Sequence, residues 1–192
     1  MKPYIFTLSH RKVWLDHPLP GDIELPHLAA ALSGINRFVG LGFSDAQHCV
    51  IVSRLVPPER AQWGLLHDAC EAYLGDVTGP LKSLLRGDGQ ASLYDGLQNT
   101  WDEAIARRFN IPIVDVKAWD QLATLIEARD SGQLNPHLSG AHQLAEWFDL
   151  PAESYLCQNS AKRLACYPPM LRESPEDARE LFLARCAELG LE

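Results

Sequence analysis

The sequence predicts an all-α chain that opens on one small β-hairpin. Three observations predict it. Apolar residues recur three and four apart through most of the chain after residue 24, the period of a helix that buries one face. Alternation with a period of two, the mark of a strand, is confined to residues 4–15. Proline and glycine punctuate the periodic stretches, as at Pro57-Pro58, Gly79-Pro80 and Pro112.

In chain order, Tyr4–Leu8 and Lys12–Leu15 read as the two strands, with Ser9-His10-Arg11 between them. His10 and His17 read as surface residues. Pro18–Gly21 is a turn, and Glu24–Leu32 a helix that leads into Ser33–Gly40. Asp45–Val56 is apolar almost all round after its start, which predicts a buried helix. Ser44 followed three residues later by Gln47 has the spacing of a capping box at its N-terminus. Pro57-Pro58 breaks the chain, and Glu59 opens a helix that runs to Gly75. Arg86–Gly89 is a loop. Ala91–Phe109 places Leu93, Leu97, Trp101, Ala104, Ile105 and Phe109 in helical register, and Val116–Glu127 does the same with Val116, Trp119, Ala123 and Ile126. Gly140–Phe148 reads as a short helix and Asp149–Pro169 as irregular. Ser174-Pro175 is a strong helix start, with serine as cap and proline in the first turn, for a helix through Leu189.

The chemistry concentrates in Trp63–Asp76. Wound as a helix, Leu66, Ala69, Cys70 and Tyr73 share one face, and His67, Asp68 and Glu71 share the other, flanked by Gly64 and Gly75. A solvated face mixes lysine and arginine with its acids; this one has neither. Bunched carboxylates repel unless something positive sits over them, and a divalent metal meets that need with one neutral nitrogen and one anionic oxygen from His67-Asp68. One helix turn supplies too few ligands. His48, in the first turn of the buried helix, is one candidate, although a lone histidine there is also what a satisfied core residue looks like. Asp120 is another: with Thr124 and Glu127 it forms a polar line along an otherwise apolar helix, where an unpaired carboxylate is costly.

The ordered set His48, His67-Asp68, Asp120 resembles the H…HD…D signature of the HD-domain metal-dependent phosphohydrolases. The surrounding strings Gln47-His48, His67–Ala72, Gly75-Asp76, Pro80-Leu81-Lys82 and Lys117–Asp120 fit the same pattern. The likeness runs from about Leu25 to Asp130, within a single domain spanning 1–192 whose residues 131–192 form a helical extension. It is similar to the subgroup that holds bacterial 5′-deoxynucleotidases and phage-type deoxynucleoside triphosphatases. The resemblance implies an HD-type helical bundle in which His48, His67, Asp68 and Asp120 hold one divalent ion: Mn²⁺, Co²⁺, Zn²⁺ or Fe²⁺, with Mg²⁺ accompanying substrate phosphates. It implies that Glu71, helped by Asp76, serves the attacking water, and that Arg37, Lys82 and Lys117 bind phosphate. By residue type alone Arg37 reads as a loop arginine. Trp119 stands where relatives keep a small residue; it reads as core rather than as a stacking platform.

The implied reaction is hydroxide attack at the α-phosphorus of a deoxynucleotide. The Asp45-Ala46-Gln47-His48 string leans the reading towards triphosphates, with a 5′-deoxynucleotidase acting on monophosphates as the alternative. A nucleotide-binding module without catalysis is a third reading. Homo-oligomerisation and a bacterial or phage-infected host cytosol are implied by the resemblance alone.

Composition narrows the classes further. A chain of 192 residues, 46% hydrophobic, is long enough for one full core. A net charge of −8 disfavours a nucleic-acid partner, which needs a basic stripe. No apolar run approaches a membrane span, and Met1-Lys2-Pro3-Tyr4 does not open a secretory signal. Five cysteines without CxxC spacing (Cys49, Cys70, Cys157, Cys166 and Cys186) read as reduced, mostly buried thiols.

Overall fold

A computed structural model describes residues 3–86, 92–134, 137, 142, 164 and 166–192. These residues are mostly helical with one two-stranded antiparallel sheet among them, as the periodicities predict. The strands β1 (Tyr4–Phe6) and β2 (Lys12–Trp14) pair Tyr4 with Trp14, Ile5 with Val13 and Phe6 with Lys12. Alternation turns Val13 into the core and leaves Tyr4, Phe6 and Trp14 outward, where the Lys12 ammonium lies 3.9 Å from the Tyr4 ring centre and 4.4 Å from that of Trp14.

The first helix, α1 (Leu25–Gly34), leads through residues 35–44, whose ends are tied by a bridge between Asn36 and Ser44. Helix α2 (Asp45–Leu55) is buried from Asp45 through Ser53. It packs against α1, against α3 (Ala61–Leu66), against α7 (Lys117–Asp130) and against α8 (Pro175–Glu188). The all-round apolar pattern thus has its reason: four helices pack on α2. Its cap forms by half. Ser44 Oγ accepts from the Gln47 N–H, but the Gln47 amide donates to Leu171 O at 2.8 Å and accepts from Glu173 N–H at 3.1 Å, so it fastens the segment before α8 instead of closing the box.

The expected single helix from Glu59 to Gly75 is broken. A 3₁₀ turn (Pro58–Arg60) runs into α3, His67–Cys70 form tight turns, and α4 (Glu71–Leu74) follows. Through the break the bonds close three residues back, Ala69 N–H to Leu66 O and Glu71 N–H to Asp68 O. That tighter winding keeps the two faces separate: Leu66, Ala69, Cys70 and Tyr73 are buried in the core. Gly64 lets α3 approach α2, since a β-carbon there would sit 3.2 Å from Ser53 Cα and 3.1 Å from Val56 Cγ2. Gly75, at φ 77°, ends α4 and turns the chain towards Asp76.

Helix α5 (Gly79–Arg86) buries none of its residues, and Leu81, Leu84 and Leu85 are exposed. Helix α6 (Leu93–Phe109) is capped reciprocally by Ser92 and Asp95 and buries Trp101, Ala104 and Ile105, whereas Leu93, placed by its spacing on the apolar face, is exposed at the helix start. Trp119 lies partly buried against the core, 5.3 Å from the Arg60 guanidinium, in keeping with the core reading. The helix assigned by sequence to a C-terminal extension belongs to the main core through Ala178, Phe182 and Cys186, and Arg185 of α8 donates to Ser53 Oγ and O of α2. Cys49, Cys70 and Cys186 are buried thiols. The expected helix Gly140–Phe148 (His142 aside), Gly87–Gly89, Cys157 and most of Asp149–Pro169 lie outside the described residues. No described helix is long and apolar enough to cross a membrane.

Candidate metal centre

Three segments bring the expected ligands together. His48 comes from the first turn of α2, His67 and Asp68 from the turn after α3, and Asp120 from the first turn of α7. One ligand atom each from His48, His67 and Asp68 lies within 4.8 Å of the others. His67 Nε2 is 3.1 Å from Asp68 Oδ2, and His48 Nε2 is 3.6 Å from the same oxygen. Asp120 joins through His48, its Oδ1 3.2 Å from His48 Nε2. It stands at the edge of the cluster rather than among the three that converge.

Both imidazoles are aimed by their other nitrogen. His67 Nδ1 donates to Gly64 O at 3.0 Å, a carbonyl that can only accept. His48 Nδ1 donates to the Glu127 carboxylate at 2.6 Å. The proton on Nδ1 leaves each Nε2 with its lone pair turned into the cluster. Neither Nε2 has a hydrogen-bond partner, the short distances to Asp68 and Asp120 being poorly aligned. Two buried lone pairs directed at one point beside a carboxylate are what a divalent ion with mixed nitrogen and oxygen ligands requires.

The electrostatics agree. Asp45, Asp68, Glu71, Asp76, Asp120 and Glu127 gather here against Arg37 and Lys82. Burial pushes the Glu71 carboxyl up to about 10; Asp68 and Asp45 add to that and Lys82 opposes it. Burial likewise raises Asp45 to about 7, with Arg37 pulling against it. Asp68 goes the other way: burial opposes its charge, but His67, His48 and Arg37 outweigh that and hold it below the usual carboxylate range. His67 is raised well above its ordinary value, since Asp68 outweighs the burial that disfavours its charge. Protons and a cation compete for the same sites, and a divalent ion would lower all these carboxyl values together.

Around the ligands stand the other expected residues. Glu71 is buried on α4, with Oε1 accepting from Lys82 Nζ of α5 at 3.2 Å and Oε2 unpartnered. Asp76, exposed beyond Gly75, brings a carboxylate oxygen within 4.8 Å of those of Glu71 and Asp45, a second group that could hold a cation. Arg37 lies in the loop after α1 but is not a surface arginine. Its guanidinium is largely buried, with Nε 2.9 Å from Glu127 Oε2, Nη2 donating to Thr124 Oγ1 at 2.9 Å, and Nη1 3.7 Å from Asp68. Lys117 is not brought to the cluster: it is exposed at the start of α7, and its ammonium makes no hydrogen bond or ion pair among the described residues.

Two residues of the site receive no role from the sequence, although Glu127 stands in the polar line. Asp45, fully buried with neither carboxylate oxygen hydrogen-bonded, lies one turn before His48 on α2; an acid opening an otherwise apolar helix was the signal. Glu127 closes the polar line begun by Asp120, and its spacing of seven residues placed it on the same face.

No family model matches the chain. The chain is similar to the uncharacterized protein YfdR of Escherichia coli (strain K12), 36% identical over 135 residues that cover 67% of this chain and 72% of that protein. It is similar also to the uncharacterized protein RCAP_rcc00048 of Rhodobacter capsulatus, 33% identical over 140 residues that cover 63% of this chain and 69% of that protein.

Proposed function

We propose a function for this chain, which belongs to the family of YfdR and RCAP_rcc00048: a metal-dependent phosphohydrolase acting on deoxynucleotides. The observation that carries the reading is the convergence of His48, His67 and Asp68 within 4.8 Å, with each imidazole anchored through Nδ1. The resemblance of the ordered residues to the HD-domain pattern supplies the reaction class.

His48, His67 and Asp68, with Asp120 alongside, are the residues that would hold the ion. When bound, a divalent ion supplies Lewis-acid chemistry, making nearby water more acidic and polarising a phosphoryl oxygen. Glu71 turns its unpartnered Oε2 to the attacking water and takes its proton, and Asp76 helps hold that water. Arg37 Nη1 and Lys82 Nζ neutralise charge gathering on the phosphate oxygens. Attack falls at the α-phosphorus: the water oxygen bonds to phosphorus as the bond to the deoxynucleoside 5′ oxygen breaks, and that oxygen leaves opposite the water with the proton Glu71 had taken.

Triphosphates are the favoured substrate. The second acidic group, Asp45, Glu71 and Asp76, suits a hard ion such as Mg²⁺ that travels with a polyphosphate. One observation favours monophosphates instead: with Lys117 outside the cluster, Arg37 and Lys82 are the cations in contact with it among the described residues. Product analysis with dNMPs and dNTPs in Mn²⁺ or Co²⁺ plus Mg²⁺ separates the two. Tripolyphosphate with free deoxynucleoside is expected, and orthophosphate from monophosphates would make the protein a nucleotidase. Neither product, with wild type matching a His67→Ala control, would leave a nucleotide-binding module.

A further inference from the structure

We propose that Glu127 is a positioning residue of this centre, one buried carboxylate that aims His48 Nε2 and Arg37 Nη1 at the same point. The proposal rests on the metal-binding reading above.

Glu127 has no exposed surface and shares α7 with Leu122, Leu125 and Ile126, which are almost completely buried as well. A carboxylate in such surroundings costs several kcal/mol unless compensated, so a residue kept only to fill space would be apolar. Here both oxygens are used, and by two different elements. Oε1 accepts from His48 Nδ1 of α2 at 2.6 Å, a charge-assisted length, and Oε2 forms an ion pair with Arg37 Nε at 2.9 Å, a contact not aligned as a hydrogen bond. The first contact fixes the His48 tautomer and strengthens Nε2 as a donor. The second, with Thr124 on Nη2, uses up the far side of the guanidinium. Nη1 is left on the side of the metal ligands, 3.7 Å from Asp68 Oδ2 and 3.9 Å from Asp45 Oδ1.

His67 supplies the internal comparison. It is aimed equally well by Gly64 O, a neutral acceptor. Orientation alone therefore needs no charge. What Glu127 adds is a negative charge shared between one metal ligand and one phosphate-binding cation, so that the two are set together.

The test is Glu127→Gln in the full chain, with Mn²⁺ affinity read by calorimetry and inorganic phosphate affinity read at saturating Mn²⁺. Glutamine keeps an acceptor for His48 but presents an amide donor to Arg37 Nε. Mn²⁺ binding is expected to weaken about 10- to 100-fold, and phosphate binding about tenfold. Wild type that binds Mn²⁺ with a variant within twofold of it would overturn the role of Glu127 and leave the metal reading standing. Wild type that binds no Mn²⁺ would overturn the metal reading, and this proposal with it. Should the variant not fold, ¹⁵N NMR of the wild-type His48 ring decides: a protonated Nδ1 supports the assignment, and an unprotonated one overturns it.

Discussion

The two sides of the centre are built differently. On the inner side, His48, Glu127, Arg37 and Thr124 are joined by the His48–Glu127 and Arg37–Thr124 hydrogen bonds and by the Arg37–Glu127 ion pair, on buried residues of α2 and α7 and on the loop after α1. On the outer side, Glu71 and Asp76 meet Lys82 across α5, a helix with no buried residue and with Leu84 78% exposed. The inner side has the packing to fix geometry. The outer side has Glu71 Oε2 without a partner and a helix whose movement disturbs little of the core. A metal centre needs its ligands held still, whereas proton transfer and phosphate capture need groups that can change partners. On the proposed function, burial separates these demands.

The sharpest way to break this comparison is Glu71→Ala. Turnover is expected to fall about 10²- to 10⁴-fold, the range for losing a general base, while bound metal measured by elemental analysis stays at the wild-type level. Loss of the ion at His48, His67 and Asp68 together with turnover would place Glu71 among the ligands of that ion instead. Next come the two cations. Arg37→Ala strands Glu127 in the core and is expected to cost about 3 kcal/mol in urea unfolding. Lys82→Ala, its outer counterpart, is expected to cost less than about 1 kcal/mol, because Glu71 can take a proton when its partner is removed. Equal costs would erase the distinction between the sides.

Mn²⁺ at about one hundred times its Kd should stabilise wild type by about 2.7 kcal/mol and leave Asp68→Ala unchanged. Chelator should reverse the gain, as followed by thermal melts. The smallest effect belongs to Leu84→Ser on the outer helix, expected to change stability by less than about 0.5 kcal/mol. A larger loss would mean that the exposed face of α5 is covered by another surface in solution.

Much of this was legible in the chain. The all-α class and the hairpin followed from their periods, and the N-caps at Ser44 and Ser174 formed. The acidic face of residues 67–71, free of lysine and arginine, marked where the ligands would gather. Its helix was misjudged, because short-range periodicity is nearly the same for an α-helix and for the tighter turns at His67–Cys70. Gln47 was read as a capping residue, and its amide went to Leu171 and Glu173, partners more than 120 residues away.

By itself, then, the sequence determined which residues are polar within apolar helices: His48, Asp120 and Glu127 stand out wherever they end up in space. Only the tertiary structure decided which of them meet. It packed α1, α3, α7 and α8 on α2, turned the loop residue Arg37 inward onto Glu127, brought Asp45 into the site and left Lys117 outside. The physical reason is range. Periodicity and capping act over one or two helical turns, but a carboxylate buried on one helix finds its compensating charge wherever packing brings a partner within about 4 Å, however distant in sequence.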